Sequence, residues 1–250
     1  MEHTPNYHVI YHGPSELDGS PIVAIATGFS SRSANTSLGP NTIQVWIICA
    51  DLHPLDAILS SADAAICGAC PKRGHATPKR VENRECYVPP GLAPYNIWRQ
   101  WTRERPASLS ERQIRATFAN RGVRLGAYGD PVAVPLRIWR AVTARAAFWT
   151  GYTHQWRTCH LSYSRWCMAS CETEEERIEA HTRGWRTFRT TRLNSFEDQH
   201  VGEVVCPKSK EAGKKTNCAR CRLCSGRDGH KSQKDVVITM HGWVFQSGRH

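Results

Sequence analysis

Short stretches in which apolar residues alternate with polar ones recur along the chain and predict strands. About seven such stretches follow residue 41. They are TIQVWIICAD (42–51), VRLGAYGD (123–130), AFWTGYTHQW (147–156), RWCMASCE (165–172), WRTFRTT (185–191), EVVCP (203–207) and DVVITMHG (235–242). The first 41 residues are rich in Gly, Pro, Ser and Asn, and they contain one further strand candidate, IVAIATGF (22–29).

Helical patterns lie between these strands. Two predicted helices flank a loop at 67–91 that is rich in Gly, Pro and charged residues; they are LHPLDAILSSADA (52–64) and NIWRQWTRERP (96–106). A third predicted helix begins with a proline and is PLRIWRAVTARA (135–146). TEEERIEAHTRG (173–184) has boundary signals of its own, because Thr173 and Glu176 match a capping box and Gly184 ends the pattern.

Strands separated by helices or long crossovers predict an α/β fold with a parallel sheet. The strand count suits a TIM-like (β/α) barrel, complete or degenerate, and a chain of 250 residues suits a single barrel domain over 1–250. An open doubly wound sheet is the alternative, but no Gly-rich phosphate-binding sequence follows any strand.

The chain is strongly basic, with a formal net charge of +11 and a pI near 9.3. Such an excess predicts a polyanionic partner: DNA, RNA or an anionic membrane surface. No apolar run approaches the ~20 residues that span a bilayer, and neither end has an amphipathic Lys-rich helix, so nucleic acid is favoured and no membrane contact is expected. The N-terminus has no secretory pattern, which predicts a reducing, cytoplasmic location.

A reducing compartment favours metal ligation over disulfides for closely spaced cysteines. Cys206, Cys218, Cys221 and Cys224 follow a C-x11-C-x2-C-x2-C spacing, typical of a tetrahedral zinc site, although an iron–sulfur cluster accepts the same four thiolates. Nine Lys and Arg against two acids between 207 and 234 predict that residues 206–234 form a basic, Cys-rich, metal-binding subdomain. Its predicted DNA-contacting residues are Lys208, Lys210, Lys214, Lys215, Arg220 and Arg222.

A second metal candidate is the group Cys67, Cys70 and Cys86. Three thiols need a fourth ligand, such as His75 or a distant cysteine, to complete a four-coordinate metal site. Alternatively, they hold an iron–sulfur cluster in which one iron has no protein ligand and is open to catalysis. The remaining group lies in predicted strand and loop segments and is interpreted as buried core thiols. It consists of Cys159, Cys167 and Cys171.

Candidate catalytic residues follow from the rule that active sites of barrels lie where the strands end. Asp130, His154 and Glu172 each stand at or just after the end of a predicted strand, and two carboxylates with an imidazole suit acid–base or nucleophilic chemistry. Asp130 and Glu172 also suit helix capping, and His154 also suits a buried structural role. Tyr128, Gln155 and Ser170 lie nearby and could stack on a nucleobase or hydrogen-bond to its edge.

Taken together, the longer motifs resemble a family of small bacteriophage-encoded barrel proteins. The motifs are SANTSLGPNTIQVWII, DAAICGACP with ECYV, VRLGAYGDP, GYTHQW, MASCETEEERIEAHTRGWRTFR and EVVCPKSKEAGKKTNCARCRLC, which together cover most of residues 30 to 242. This family is similar to the tRNA-guanine transglycosylases and is associated with the phage DNA 7-deazaguanine transglycosylases. One departure is Ser37, where a lysine is expected after ANT.

The resemblance implies an enzyme that acts in the host-cell cytoplasm and exchanges guanine in DNA for a free 7-deazaguanine base. An acidic residue attacks C1′ of a flipped deoxyguanosine. Asp130 and Glu172 are the first candidates for this nucleophile, and Asp63 and Asp51 are the alternatives. The resemblance further implies a structural zinc held by late cysteines, no nucleotide cofactor, and a substrate-binding loop that includes Asn35.

Two rival interpretations stay open at the level of the sequence. CGACP with ECY, followed by a strand ending in GDP, is similar to radical S-adenosylmethionine barrels, although their three cysteines lie closer together than Cys70 and Cys86 do. A zinc-containing DNA-binding protein without catalysis explains the charge and the cysteines, and leaves the carboxylates at the strand ends as caps.

Overall fold

The structure is a computed structural model that describes residues 6–30, 37–77, 81–229 and 234–240. Twelve strands lie in these ranges, ten of them in two five-stranded sheets. The remaining two, β4 (His75–Ala76) and β5 (Val81–Glu82), form a small antiparallel pair inside the loop between the first helices.

The first sheet has the strand order β1-β2-β3-β6-β7. β1, β2 and β3 pair antiparallel, whereas β3, β6 and β7 run parallel, as expected for strands joined by helical crossovers. The bounds are β1 Tyr7–Pro14, β2 Pro21–Thr27, β3 Thr42–Cys49, β6 Gly122–Tyr128 and β7 Phe148–Thr150.

The second sheet is entirely parallel and has the order β11-β12-β10-β9-β8. Its last strand along the chain, β12, therefore inserts between β10 and β11. The bounds are β8 Tyr152–Thr153, β9 Met168–Cys171, β10 Thr187–Thr191, β11 Glu203–Val205 and β12 Asp235–Thr239.

Gly151 alone separates β7 from β8, so the path of one strand passes from the first sheet to the second. Its N–H donates to the Cys224 carbonyl at 3.0 Å, and its own carbonyl accepts from Met168 N–H at 2.9 Å. A Cβ at this position would lie 2.9 Å from the Trp166 carbonyl oxygen and from Cys167 Sγ, so glycine is required by the close approach of the backbone.

Helices cover the sheets and begin at identifiable caps. Ser110 and Gln113 form a capping box at the start of α4, and Thr173 accepts from Glu176 N–H at the start of α6. The bounds are α1 Pro54–Leu59, α2 Ala64–Cys67, α3 Ala93–Glu104, α4 Glu111–Thr117, α5 Leu136–Thr143, α6 Glu174–Thr182 and α7 Cys218–Cys221.

The α/β class predicted from the sequence is confirmed, but the described strands form two open sheets and no closed barrel. The predicted strand at 147–156 is two strands, because at Gly151 the hydrogen bonds pass from the first sheet to the Cys224 carbonyl and to Met168 of β9. β1 and α4 were not predicted; β1 lies in the Gly- and Pro-rich first 41 residues. Within the described ranges, no helix is long and apolar enough to cross a membrane.

Candidate active site at the strand ends

A cavity of about 390 Å³ opens where strands of both sheets end. Residues of β6, β8, β9, β10 and β12 line it, among them the continuous segments 126–130 and 238–240 at the ends of β6 and β12. Its walls are in part aromatic, with Tyr128, Tyr152 and Phe188, and in part polar, with Ser170 and Thr190. The strand ends of the two sheets therefore converge on one open cavity.

Asp130 lines this cavity directly after β6 and is buried. Its Oδ1 accepts from Val132 N–H at 2.9 Å, so it caps the following turn as the structural interpretation predicted. Its Oδ2 accepts from His154 N–H at 2.9 Å and lies 3.5 Å from Gln155 Nε2. Burial raises the pKa of Asp130 above its usual range, which increases the nucleophilicity of the ionised carboxylate.

His154 follows β8 and connects Asp130 to Glu172. Its side chain lines the cavity, and its Nε2 lies 3.6 Å from Glu172 Oε1, an ion-pair distance. Glu172 stands behind this imidazole, where Lys72 Nζ at 2.6 Å and Thr190 Oγ1 at 2.9 Å both donate to Oε2. The structure thus brings together three of the four predicted catalytic residues.

The charges in this group favour a protonated imidazole beside an ionised glutamate. Burial lowers the pKa of His154, but interactions with Cys70, Glu172 and Asp130 outweigh it and raise the pKa to about 10. Burial raises the pKa of Glu172, but His154 and Lys72 outweigh it and hold that pKa below its usual range. His154 is therefore suited to donate a proton to a leaving group at neutral pH.

The predicted substrate-binding residues divide into three cases. Tyr128 and Ser170 line the cavity. Gln155 lies behind its wall, where Nε2 donates to the Cys67 carbonyl at 2.9 Å and Oε1 accepts from Ala69 N–H at 3.1 Å. Asn35 lies outside the described residues.

The two alternative carboxylates, Asp63 and Asp51, lie outside the cavity. Asp63 is buried before α2, where Arg73 Nη2 contacts it at 2.5 Å and Arg84 lies 3.9 Å away. Asp51 is exposed after β3 and pairs with Arg105 at 3.0 Å. Neither residue lines the cavity, so their ion pairs give them a structural explanation.

Cys67, Cys70 and Cys86 all line the cavity, which the sequence spacing did not reveal. Burial together with the neighbouring thiols raises the pKa of Cys67, and Cys70 interacts with His154. His75, one of the fourth ligands considered beside a distant cysteine, is exposed on β4 and is not part of the lining. In the described part of the chain, no group of three or more Cys, His, Asp or Glu is arranged to hold a metal ion.

The third cysteine group is drawn together by its anchors to the second sheet. Burial raises the pKa of Cys224, and Cys206, Cys218 and Cys221 are all close enough to raise it further. The buried Arg186 guanidinium donates to the carbonyls of Leu223 and Ser225 at 3.0 and 2.6 Å. Four thiols suit a zinc ion or an iron–sulfur cluster chemically, but in this structure they are not arranged to hold one, so metal binding by this group stays a prediction.

The basic residues of this segment form an exposed surface. All six predicted DNA-contacting side chains are exposed, and none forms an ion pair with a carboxylate in the described ranges. Their charge is therefore available to phosphates, as the prediction requires.

Several cavity residues were missed at the sequence level. They include Arg124 on β6 and Phe188 and Thr190 on β10. Phe188 and Thr190 are two residues apart on one strand, so the alternation of residues could have identified them as a pair on one face. Lys72 lies in the irregular loop between α2 and α3, and no local pattern indicates that it contacts Glu172.

Comparisons with protein-family models, with curated proteins and with solved structures find no match to this chain.

Proposed function

We propose that the protein is a DNA-modifying base-exchange enzyme, which replaces guanine in DNA with a 7-deazaguanine base. The observation that carries this proposal is the convergence of a buried carboxylate, an imidazole and aromatic side chains on one cavity of about 390 Å³. A cavity of this size suits a single extruded base, and aromatic walls suit stacking on it.

Asp130 is the nucleophile in this proposal, since it alone among the predicted catalytic carboxylates lines the cavity. Its carboxylate forms a bond to C1′ of the flipped deoxyguanosine as the C1′–N9 bond breaks. His154 donates its proton to the leaving guanine, and Glu172 holds the imidazole in place. The incoming base then loses its N9 proton to His154 and attacks C1′, which releases Asp130 and retains the configuration.

The rest of the molecule supports the same proposal. The two open sheets share the strand path through Gly151, and we propose that they form the wall of a degenerate (β/α) barrel around the cavity. The four thiols at 206–224 would hold zinc, which would fix the shape of the basic segment. The exposed Lys and Arg side chains of that segment would hold the DNA backbone while one base enters the cavity.

The decisive experiment measures incorporation of a radiolabelled 7-deazaguanine, and release of labelled guanine, with duplex DNA as substrate. Asp130→Asn should abolish exchange, because the amide cannot form the bond to C1′. Glu172→Gln should lower kcat by about 10- to 1,000-fold with little change in KM, because it weakens the charge that holds His154 protonated. Asp51→Asn is the control, since this exposed carboxylate lies outside the cavity. Full exchange in both Asp130→Asn and Glu172→Gln refutes the assignment of the site.

A second candidate is favoured by one observation: all three cysteines of the first group line the cavity. An iron–sulfur barrel enzyme of the radical S-adenosylmethionine kind would place a cluster there. Anaerobic purification separates the two, because an iron–sulfur protein is brown and contains iron, whereas a zinc-containing transglycosylase is colourless.

A further inference from the structure

Arg124 introduces a positive charge into the wall of the cavity. It lies on β6 four residues before Tyr128, and both side chains line the cavity. The pairing with β3 shifts register between them, because Arg124 is opposite Gln44 and Tyr128 is opposite Trp46, so the backbone of Arg124 lies about 7 Å further from the strand end. Its backbone neighbours across the sheet are Gln44 on β3 and Thr150 on β7. The guanidinium is thus displaced from the Asp130–His154 end of the cavity.

The charge of Arg124 is not neutralised by a carboxylate. Its hydrogen-bond partner is the neutral Tyr87 hydroxyl, and its guanidinium carbon lies 5.7 Å from the centre of the Tyr87 ring. Its buried Nε has no partner. No acidic side chain of the described ranges pairs with it, and Glu2 is the single acid in the remaining segments. A largely buried cation without a counter-ion is unfavourable unless a ligand supplies the negative charge.

The side chains around Arg124 also suggest the shape of that ligand. Tyr152 and Phe188 pack with ring centres 4.4 Å apart, and both line the cavity together with Tyr87 and Tyr128. Flat aromatic walls favour a planar ligand. An arginine fork matches the two oxygens of a carboxylate with paired hydrogen bonds.

We propose that Arg124 selects a planar aromatic ligand that bears a carboxylate group. This inference rests on the proposed function in one respect: it identifies the incoming free base as an acidic one, with its carboxylate on Arg124 and its reacting nitrogen toward Asp130. Guanine in DNA lacks that group, so Arg124 would favour the incoming base over the base that is released.

The test compares ligands that differ only in charge. Two 7-deazaguanine bases, one with a carboxylate at C7 and one with the neutral carboxamide, are titrated into the full-length protein by calorimetry. Benzoate and benzamide form a second pair that does not depend on the base. The wild type should prefer the carboxylate in each pair by about 10- to 100-fold, as expected for a charge-assisted hydrogen bond.

Arg124→Gln should reduce this preference to about one, and Arg124→Lys, which keeps the charge but not the fork, should retain part of it. Arg137→Gln is the matched control, because Arg137 is exposed and pairs with Glu111 outside the cavity. If Arg124→Gln does not fold, the ratio measured for Arg124→Lys decides the matter, since an unchanged ratio contradicts recognition by the fork.

The outcomes separate this inference from the proposed function. If the wild type exchanges bases but shows no preference for the carboxylate, the inference is overturned and the function stands. If neither deazaguanine binds, yet benzoate binds to the wild type and not to Arg124→Gln, the inference stands without that function. Arg124 also lies near Cys218; a loss of bound zinc in Arg124→Gln with unchanged ligand preference would make it a counter-ion of the metal site and overturn the inference.

Discussion

The two sheets are stabilised by different interactions. The first sheet and its helices contain a continuous apolar core, in which residues such as Ile22, Ile43, Ile47, Leu125 and Trp139 are fully buried. The inner side of the second sheet has only a small apolar cluster of Met168, Cys224 and Val236. The other side of the second sheet joins the large core, which includes Ala169 and Cys171 of β9 and Ala180 of α6. With so few apolar contacts on their inner side, these short parallel strands need another source of order there.

Buried ions supply that order in the second sheet. Arg189 on β10 contacts Glu203 on β11 at 2.8 Å and Asp198 at 2.6 Å. Arg177 on α6 contacts Asp235 on β12 at 3.2 Å. In the described part of the chain, five of the seven buried charged residues belong to the second sheet and its connections: Arg177, Arg186, Arg189, Glu203 and Asp235. Ion networks fix the positions of elements more strictly than apolar contacts do, but they tolerate substitution poorly.

The largest effect is expected for Arg189→Met. The substitution leaves the buried Glu203 carboxylate without its partner and should lower the free energy of unfolding by about 3–5 kcal/mol in urea titrations. Arg115→Gln, which breaks an exposed pair with Glu111 one helical turn away, is the control and should cost only about 0.3–0.5 kcal/mol. Equal effects of the two substitutions would show that the buried network does not stabilise the second sheet.

Acid should weaken the second sheet before the first. Hydrogen bonds from Arg189 and Arg177 hold the pKa values of Asp198 and Glu174 below their usual 3.8 and 4.5. Because these pKa values are depressed in the folded state, the stabilisation is complete above the usual values and is lost as the pH falls below about 4.5. Hydrogen exchange measured at pH 7 and pH 3 should show a greater loss of protection in β10 and β12 than in β2 and β3. An equal loss of protection in all four strands would contradict the expected difference between the two sheets.

Gly151→Ala tests the connection between the sheets. The added Cβ would meet the Trp166 carbonyl oxygen and Cys167 Sγ at 2.9 Å, so backbone must move. A destabilisation of about 1–3 kcal/mol is expected in thermal or urea unfolding. Gly91→Ala, at an exposed position where a Cβ meets no atom within 4 Å and the backbone does not require a glycine, is the control for the loss of a glycine.

The difference between local signals and long-range contacts explains which features of the fold and the site the sequence predicts. The α/β class, most strands and Asp130, His154 and Glu172 were recognised, because alternation and strand-end position are local signals. The contacts of Lys72 with Glu172 and of Arg186 with the cysteine segment join residues 100 and 39 positions apart, and no local pattern encodes them. The insertion of β12 between β10 and β11 was missed for the same reason, since strand order depends on long-range pairing.

The smallest effect is expected in the apolar core of the first sheet. Ile43→Val removes one buried methylene from β3 and should lower the free energy of unfolding by about 1 kcal/mol. Since no charge is involved, the loss should be the same at pH 7 and pH 3, whereas the effect of Arg189→Met should become smaller at pH 3, where protonation of Asp198 begins to remove its contact with Arg189. Urea titrations of the two variants at the two pH values measure the difference. An Ile43→Val effect that changed with pH would mean that the apolar core and the ion networks unfold as one coupled unit, and that the two sheets are not stabilised independently.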